Sequence, residues 1–445
     1  MKNRNVRLAL TGIIAITAIP VATGQLASAA TKKTTKTTKS SSKTVALRWR
    51  TRPDNQAEID VYNSISTTVD NKLANITLKY EAGTSEGSPY QDKLRTEIAA
   101  GTAPDVFWIP GTDVADFAKK GLILDVRSYA AKTTGYADSN YYSGPMASLT
   151  YNPAKKDQSS LWGIPRDVST FALYLNLDLI AKAGAPDPRA LAKDGKWNWD
   201  AFRDVGKKVT ALGGANKGIG LSSWWANYGY FMNAAGGGFF TKDRSACAAD
   251  SDGSVKGIQT LSDILNVDKT AVAWGEDPEK PFNAGNLAMF VNGRWATPGA
   301  RENLKFNWDV VKLPDGPAGP SNWLFWGAYV VNAKTKNPAQ AWQLVDALTQ
   351  DDVQASISKL GANIPSRNTA TAKTNFLTYT PPANNQAFVD GISQNPVAEG
   401  PLWNGDWPAY DKVLNDSVTA VLTGKKSIAD YKSTICKDEA KNFNG

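Results

Sequence analysis

Histidine is missing from all 445 residues. That absence excludes serine–histidine and cysteine–histidine nucleophile systems, and with them zinc sites built on imidazole. A glycosidase working with two carboxylates survives the exclusion, because 42 Asp and Glu residues remain to draw on. Cysteine is nearly missing as well: Cys247 and Cys436 are the only two, so no thiol near the N-terminus can carry a lipid. In an exported chain these two are expected to pair, tying an internal loop to the C-terminal helix; the alternative is two buried free thiols. Carboxylates are absent from residues 1–43, which hold eight Lys and Arg residues, so the formal charge of +8 belongs to that segment and the rest balances 42 basic against 42 acidic groups. A phosphate-tracking surface is therefore not indicated, and nucleic acid is set aside as a partner.

The apolar fraction of 42% and charged fraction of 21% are those of an ordinary globular chain. At this length two domains, or one large bilobal body, are expected. The N-terminus has the layout of an export signal: Lys2, Arg4 and Arg7, an apolar run Leu8–Val21, then the small residues Ala27, Ser28 and Ala29. Cleavage after Ala29 gives a signal peptide 1–29, since the apolar run falls short of the roughly 20 residues that an uncleaved anchor needs. Residues 30–43, rich in Thr, Lys and Ser, read as a solvated tether or plain spacer. The mature protein is then extracytoplasmic, secreted or associated with the cell surface.

From Thr44 strand and helix patterns alternate. Val45, Leu47 and Trp49 repeat at period two, and a helix opened at Pro53–Asp54 carries Ile59, Tyr62, Ile65 and Val69 at helical spacing. A strand at Ile76–Tyr80, a helix Tyr90–Ala100, a strand Val106–Ile109 and a helix Asp113–Lys120 follow. This order predicts an α/β architecture with parallel sheets flanked by helices. A similar region begins at Thr170, with later strands at Leu287–Val291 and Phe325–Val331 on either side of the Pro/Gly-rich loop Leu313–Ser321. Two helices are expected after Pro408.

Several segments resemble the family 1 extracellular solute-binding proteins, the sugar-binding subunits of ABC importers related to maltose-binding protein. They are Tyr90–Leu94 with Ala103–Trp108, Asp116–Asp125, Gly163–Pro165 with Ala172–Asn176, Trp197–Phe202, Ala288–Trp295 and Asn337–Trp342. Their succession in one order carries the resemblance. It implies a two-lobed periplasmic-binding-protein-like fold (type II), each lobe a mainly parallel sheet flanked by helices, with a three-segment hinge near Asp167–Thr170, Leu313–Ser321 and Leu360–Arg367. Lobe 1 would be 44–168 plus 318–362, and lobe 2 would be 169–317 plus 363–445, which places both cysteines in lobe 2. Relatives from Gram-positive bacteria commonly carry a lipid-modified Cys at the cleavage site, which this chain lacks. The resemblance further implies a carbohydrate ligand, ABC permease subunits as partners, a monomer, no cofactor and no catalysis.

Fifteen tryptophans are many, and several stand where loops should converge at strand ends. The candidates for stacking on a sugar are Trp108, Trp224, Trp225, Trp295, Trp326, Trp403 and Trp407, with Tyr228 beside them; an indole in such a place serves core packing equally well. The resemblance favours Trp108, Trp225, Trp295 and Trp407. Trp342, in a helix with Leu344 and Val345, reads as core. An indole face suits a pyranose because its negative potential meets the slightly positive C–H groups of the ring. Polar candidates are Arg50 after the first strand, Asp113, Asp167 at the first crossover and Arg367 near the third, each of which would serve equally as an ion pair or cap. Asp250–Gly253 lacks the further ligands of a calcium loop, and Gly236–Gly238 lacks the spacing of a nucleotide loop, so no metal is expected. The aromatic, formally neutral profile points to a neutral oligosaccharide. A two-carboxylate glycosidase and a receptor for a non-sugar solute are the alternatives.

Overall fold

The computed structural model describes residues 44–443 apart from residue 54, 85–86, 362, 370–375, 394–395 and 399. The expected signal peptide and linker lie outside the described residues.

The first strand, β1 (Val45–Thr51), pairs in parallel with β2 (Ile76–Ala82), in register from Val45 opposite Ile76 to Thr51 opposite Ala82. Between them runs the helix Gln56–Lys72, capped by Asn55, whose side chain accepts from the Glu58 amide. Its buried positions Tyr62, Ile65 and Val69 form the stripe that the sequence spacing predicts. The helix Gly87–Ala100 then leads through Gly101, at φ 72°, to β3 (Val106–Pro110), which pairs with β1 on its other side.

β4 (Ile164–Ser169) and β5 (Phe171–Asn176) follow one another with Thr170 alone between them, yet belong to different sheets. β5 joins β6 (Lys217–Gly220), β7 (Leu287–Gly293) and β8 (Trp308–Val311) in a four-stranded sheet of order β6-β7-β5-β8. The chain returns through residues 312–321 into β9 (Asn322–Val331), then reaches the short strands β10 (Ile364–Pro365) and β11 (Pro396–Ala398). The larger sheet has the order β10-β4-β9-β3-β1-β2, with β11 added to the start of β9. The third expected passage, Leu360–Arg367, thus contains a strand that still hydrogen-bonds to β4 in the larger sheet.

The α/β, two-sheet architecture stands, but the expectation of mainly parallel sheets is corrected. β9 runs antiparallel to both β3 and β4, and β5 is antiparallel to β7 and β8. The physical reason is connectivity: parallel neighbours need a crossover, whereas strands re-entering a sheet from the other lobe arrive from the opposite end.

Along β5 the side chains alternate, Phe171, Leu173 and Leu175 into one hydrophobic cluster and Ala172 and Tyr174 into the other. Trp342 is buried in the larger sheet's core. Gly236, at φ 85°, follows the helix Trp225–Ala234, and a side chain at Gly237 would collide with Ser254 at the start of the helix Asp252–Ser262. Among the described residues no helix is long and apolar enough to cross a membrane. Cys247 and Cys436 form a disulfide, Cα atoms 5.4 Å apart, which fastens the loop after Phe240 to the helix Ile428–Glu439. It closes a loop spanning 189 positions. Replacing both cysteines by serine should destabilise the protein by about 2–5 kcal/mol, read as an earlier denaturant midpoint; an unchanged midpoint would show that Tyr431 and Tyr410, which bond the Ala249 and Phe239 carbonyls at 3.1 and 2.7 Å, suffice to hold the loop.

Candidate functional site

A cleft of about 1120 Å³ opens where the two sheets meet. Its walls follow from the strand ends. β3 delivers Trp108, the short turn Gly111–Asp113 delivers Asp113, and β4 delivers Arg166 and Asp167 from one side. From the other come Trp224 and Trp225 at the start of the helix Trp225–Ala234, Trp295 just after β7, and Trp407 and Asp411 on the helix Trp407–Leu422.

The second wall is aromatic. Trp224 stacks on Phe325 at 5.4 Å and meets Trp225 edge-on at 5.0 Å, while Trp225 contacts Trp407 at 5.6 Å and Trp295 contacts Phe325 at 5.2 Å. Trp225 and Trp407 are buried, whereas Trp224 and Trp295 keep part of their surface open to the cleft. Trp295 folds back over Gly293, where any side chain would collide with the indole, so the Asn292–Trp295 motif needs its glycine for close approach. Trp326 packs in the same manner against Gly111 and Trp108 against Gly327.

The first wall is charged. The guanidinium groups of Arg52 and Arg166 lie over the Trp108 ring, 5.0 and 4.9 Å from its centroid. Trp108 is thus already engaged by cations, a correction to its expected role as a free stacking face. Arg166 pairs with Asp167 at 2.6 Å. Asp113 accepts from Gln91 at 3.0 Å and is paired with Arg95 at 3.4 Å. Burial raises its carboxyl above the usual range, against the opposing pull of Gln91 and Arg95. Asp411 faces Asp113 from the opposite wall, and burial, then the Asp113 charge, pushes it up to about 7.

Of the residues expected from sequence, Trp108, Asp113, Asp167, Trp224, Trp225, Trp295, Trp326 and Trp407 line the cleft. Four do not. Arg50 is consumed by Glu97 at 2.5 Å and Glu81 at 2.9 Å behind the sheet. Tyr228 is wholly buried against Phe239 and Trp274. Arg367 donates to the Thr349 carbonyl and to Gln350 and lies over Tyr141, so it fastens the chain after β10 to the first lobe. Trp403 stands outside the cleft against Tyr151 at 5.5 Å and Trp162 at 6.1 Å. Sequence reasoning missed Arg52, Gln91, Arg166, Asp411 and Asn415. The last two had a readable signal, since Trp407, Asp411 and Asn415 repeat every fourth residue on one helix face. Arg166 had one too, standing inside a strand beside the chosen Asp167.

Glu439, buried behind this helix, is likewise raised to about 7, by burial and, against the hydrogen bond from Asn442, by Asp411. A carboxyl whose folded pKa exceeds its unfolded value stabilises fully below the unfolded pKa, and that stabilisation is lost as pH rises through the folded value. The ligand-free protein should therefore be more stable near about pH 5 than near about pH 8, by on the order of 2 kcal/mol. Asp411→Asn with Glu439→Gln should flatten the profile in denaturant melts; a profile that keeps its slope in the double variant would place the titration elsewhere.

Residues 70–355 match the model of a family described as bacterial extracellular solute-binding protein. The chain is similar to a binding protein of Brucella abortus, 25% identical over 354 residues that cover 77% of this chain and 75% of that one. It is also similar to a maltooligosaccharide ABC transporter solute-binding lipoprotein of Streptococcus pneumoniae, 24% identical over 388 residues and 82% of each chain. Among solved structures, an ABC substrate-binding protein of Listeria monocytogenes in complex with cycloalternan superposes with a TM-score of 0.77 at 20% identity, covering 89% of this chain and 99% of that chain.

Proposed function

The chain belongs to the bacterial extracellular solute-binding protein family, and from that premise we propose that it is an extracytoplasmic subunit of an ABC importer that captures a carbohydrate in the cleft between its lobes. The observation that carries the reading is the cleft itself: partly open indoles on one wall and incompletely bonded polar groups on the other, in a volume of about 1120 Å³. Pockets of this makeup hold sugars because flat apolar surface takes the ring while a few polar atoms fix the hydroxyls. The names of the Streptococcus and Listeria relatives, a maltooligosaccharide lipoprotein and a cycloalternan complex, point to the same class of ligand.

The lobes are taken as 44–168 with 318–362 and as 169–317 with 363–445, except that residues 363–367, which carry β10 and Arg367, stay with the first lobe. In the proposed cycle the ligand touches both walls only when the lobes are closed, and this differential contact shifts the population towards the closed form, which permease subunits then recognise. A contact outside the cleft joins the lobes: Lys119 Nζ donates to the carbonyls of Gly405 at 2.5 Å and Trp403 at 3.4 Å, beside the Trp403 ring on Tyr151. This contact suits Trp403 to a part in closure rather than in stacking.

One observation favours a second reading. Asp411, half protonated near neutrality, faces Asp113, the kind of carboxylate pairing a glycosidase employs. Against it, Asp113 is held by Arg95 and Gln91. Thermal melts of the mature protein against a panel of mono- and oligosaccharides decide between the two: a stable rise with the sugar recovered intact supports capture, and cleavage products support hydrolysis. With the sugar so identified, Trp295→Ala and Trp224→Ala should each cost about 1.5–3 kcal/mol of binding, roughly ten- to a hundredfold in Kd, by calorimetry. Affinities within twofold of wild type in both variants would remove the aromatic wall from the ligand.

A further inference from the structure

Among the described residues, three hydrogen-bond donors in one corner of the cleft have no partner: Arg52 Nε, Trp108 Nε1 and Arg166 Nη1. They are grouped, because both guanidinium groups lie over the Trp108 ring. Trp108 and Arg166 are only 6% and 7% exposed, and all three residues line the cavity. The corner is also held in place. Gly327 leaves room for the indole edge, and Asp167 fixes Arg166 through its Nε. Burial by itself would weaken the charge on Arg166, but the carboxylates of Asp167 and Glu58 oppose that, so it remains a cation.

Among the described residues, the corner holds no acceptor that is without a donor. Glu58 and Asp167, the carboxylates beside it, already have partners. The unpartnered acceptors Gln91 Oε1, Asp411 Oδ1 and Asn415 Oδ1 belong to the Asp113 end, where Gln91 bonds Asp113 and Asp411 faces it. A sugar hydroxyl entering the corner would satisfy the donors but would have to give its own O–H to a carboxylate that already has a partner. A carboxylate brings acceptor oxygens only, and its bonds from guanidinium are charge-assisted, roughly twice as strong as neutral ones.

We propose that Arg52, Trp108 and Arg166 form a carboxylate subsite, so that the preferred ligand is an acidic oligosaccharide with a uronic acid residue in this corner. The inference rests on the carbohydrate reading above and replaces the neutral oligosaccharide expected from composition. A phosphate ester presents the same acceptor-only chemistry, so the experiment must separate the two sources.

Calorimetry on the mature protein at low salt should compare gluco-, galacto- and mannuronate oligosaccharides, each with its carboxyl-reduced neutral counterpart, alongside hexose phosphates. At least one uronate should bind about tenfold or more tightly than its reduced counterpart. Trp108→Phe, which keeps the ring and deletes the N–H, and Arg52→Gln, which removes a charge at a half-buried position, should each bring that ratio towards one. Should Trp108→Phe melt early, Arg52→Gln carries the test alone. Equal or tighter binding of every neutral counterpart overturns the subsite while leaving carbohydrate capture intact. So does a ratio that survives the substitutions, or a hexose phosphate that outbinds all uronates. If no carbohydrate binds, acidic or neutral, the carbohydrate reading falls and the subsite with it.

Discussion

The strand β9 has to satisfy two hydrophobic cores at once, and the site exists because it does. All ten of its residues are buried, so every backbone group along it must find a partner inside the protein. Its first residues reach the second hydrophobic cluster, where the Asn322 side chain accepts from the Phe171 amide at 3.0 Å and donates to the Phe171 carbonyl at 2.9 Å, standing in for a strand neighbour. Trp323 and Phe325 then enter the second core and Leu324 and Trp326 the first. From Phe325 onward the strand is paired with β4, and from Gly327 with β3 as well. The cleft opens at this handover. Phe325, Trp326 and Gly327 are three consecutive residues of one strand, and all three line it.

That handover explains where side chains could be spared. A strand passing between cores leaves little room beside it, and the protein makes room with glycine at the contact rather than by shrinking the aromatic group. Gly327 admits Trp108, Gly111 admits Trp326, and Gly293 admits Trp295. The indoles are thereby seated against backbone, with few rotamers open to them. A ligand then meets surfaces whose ordering has already been achieved on folding, so less entropy is lost on binding.

How much of this could be read from the sequence depends on the kind of signal. Period-two and helical spacing located the strands and most helices, because burial of one face imposes those periods directly. Strand direction was not legible: β-α-β order implies parallel neighbours, and nothing in the residues of β9 says that it comes back from another lobe. The tryptophans at strand ends were found because position and residue type both mark them. Arg50 and Arg367 misled because a charged residue at a strand end or crossover looks the same whether it faces a ligand or a carboxylate such as Glu97; only the partner, 47 residues away in that case, distinguishes them. Arg52 and Arg166 were passed over for the converse reason. Arg166 lies inside a fully buried strand, where an arginine is expected only if something unusual receives it.

The distribution of unsatisfied atoms ties these points together. A buried polar atom left without a partner costs about 1–3 kcal/mol, and most polar groups of this protein's interior avoid that cost through strands, caps or ion pairs. Cleft residues contribute six such atoms: donors on Arg52, Trp108 and Arg166 and acceptors on Gln91, Asp411 and Asn415. Folding alone does not account for leaving these atoms unpaired, since a buried polar atom is ordinarily given a partner. A solute that reaches these atoms when the lobes are together supplies the partners they lack. The same atoms therefore oppose closure over an empty cleft and favour it over a filled one, which is the differential contact that solute-dependent closure requires.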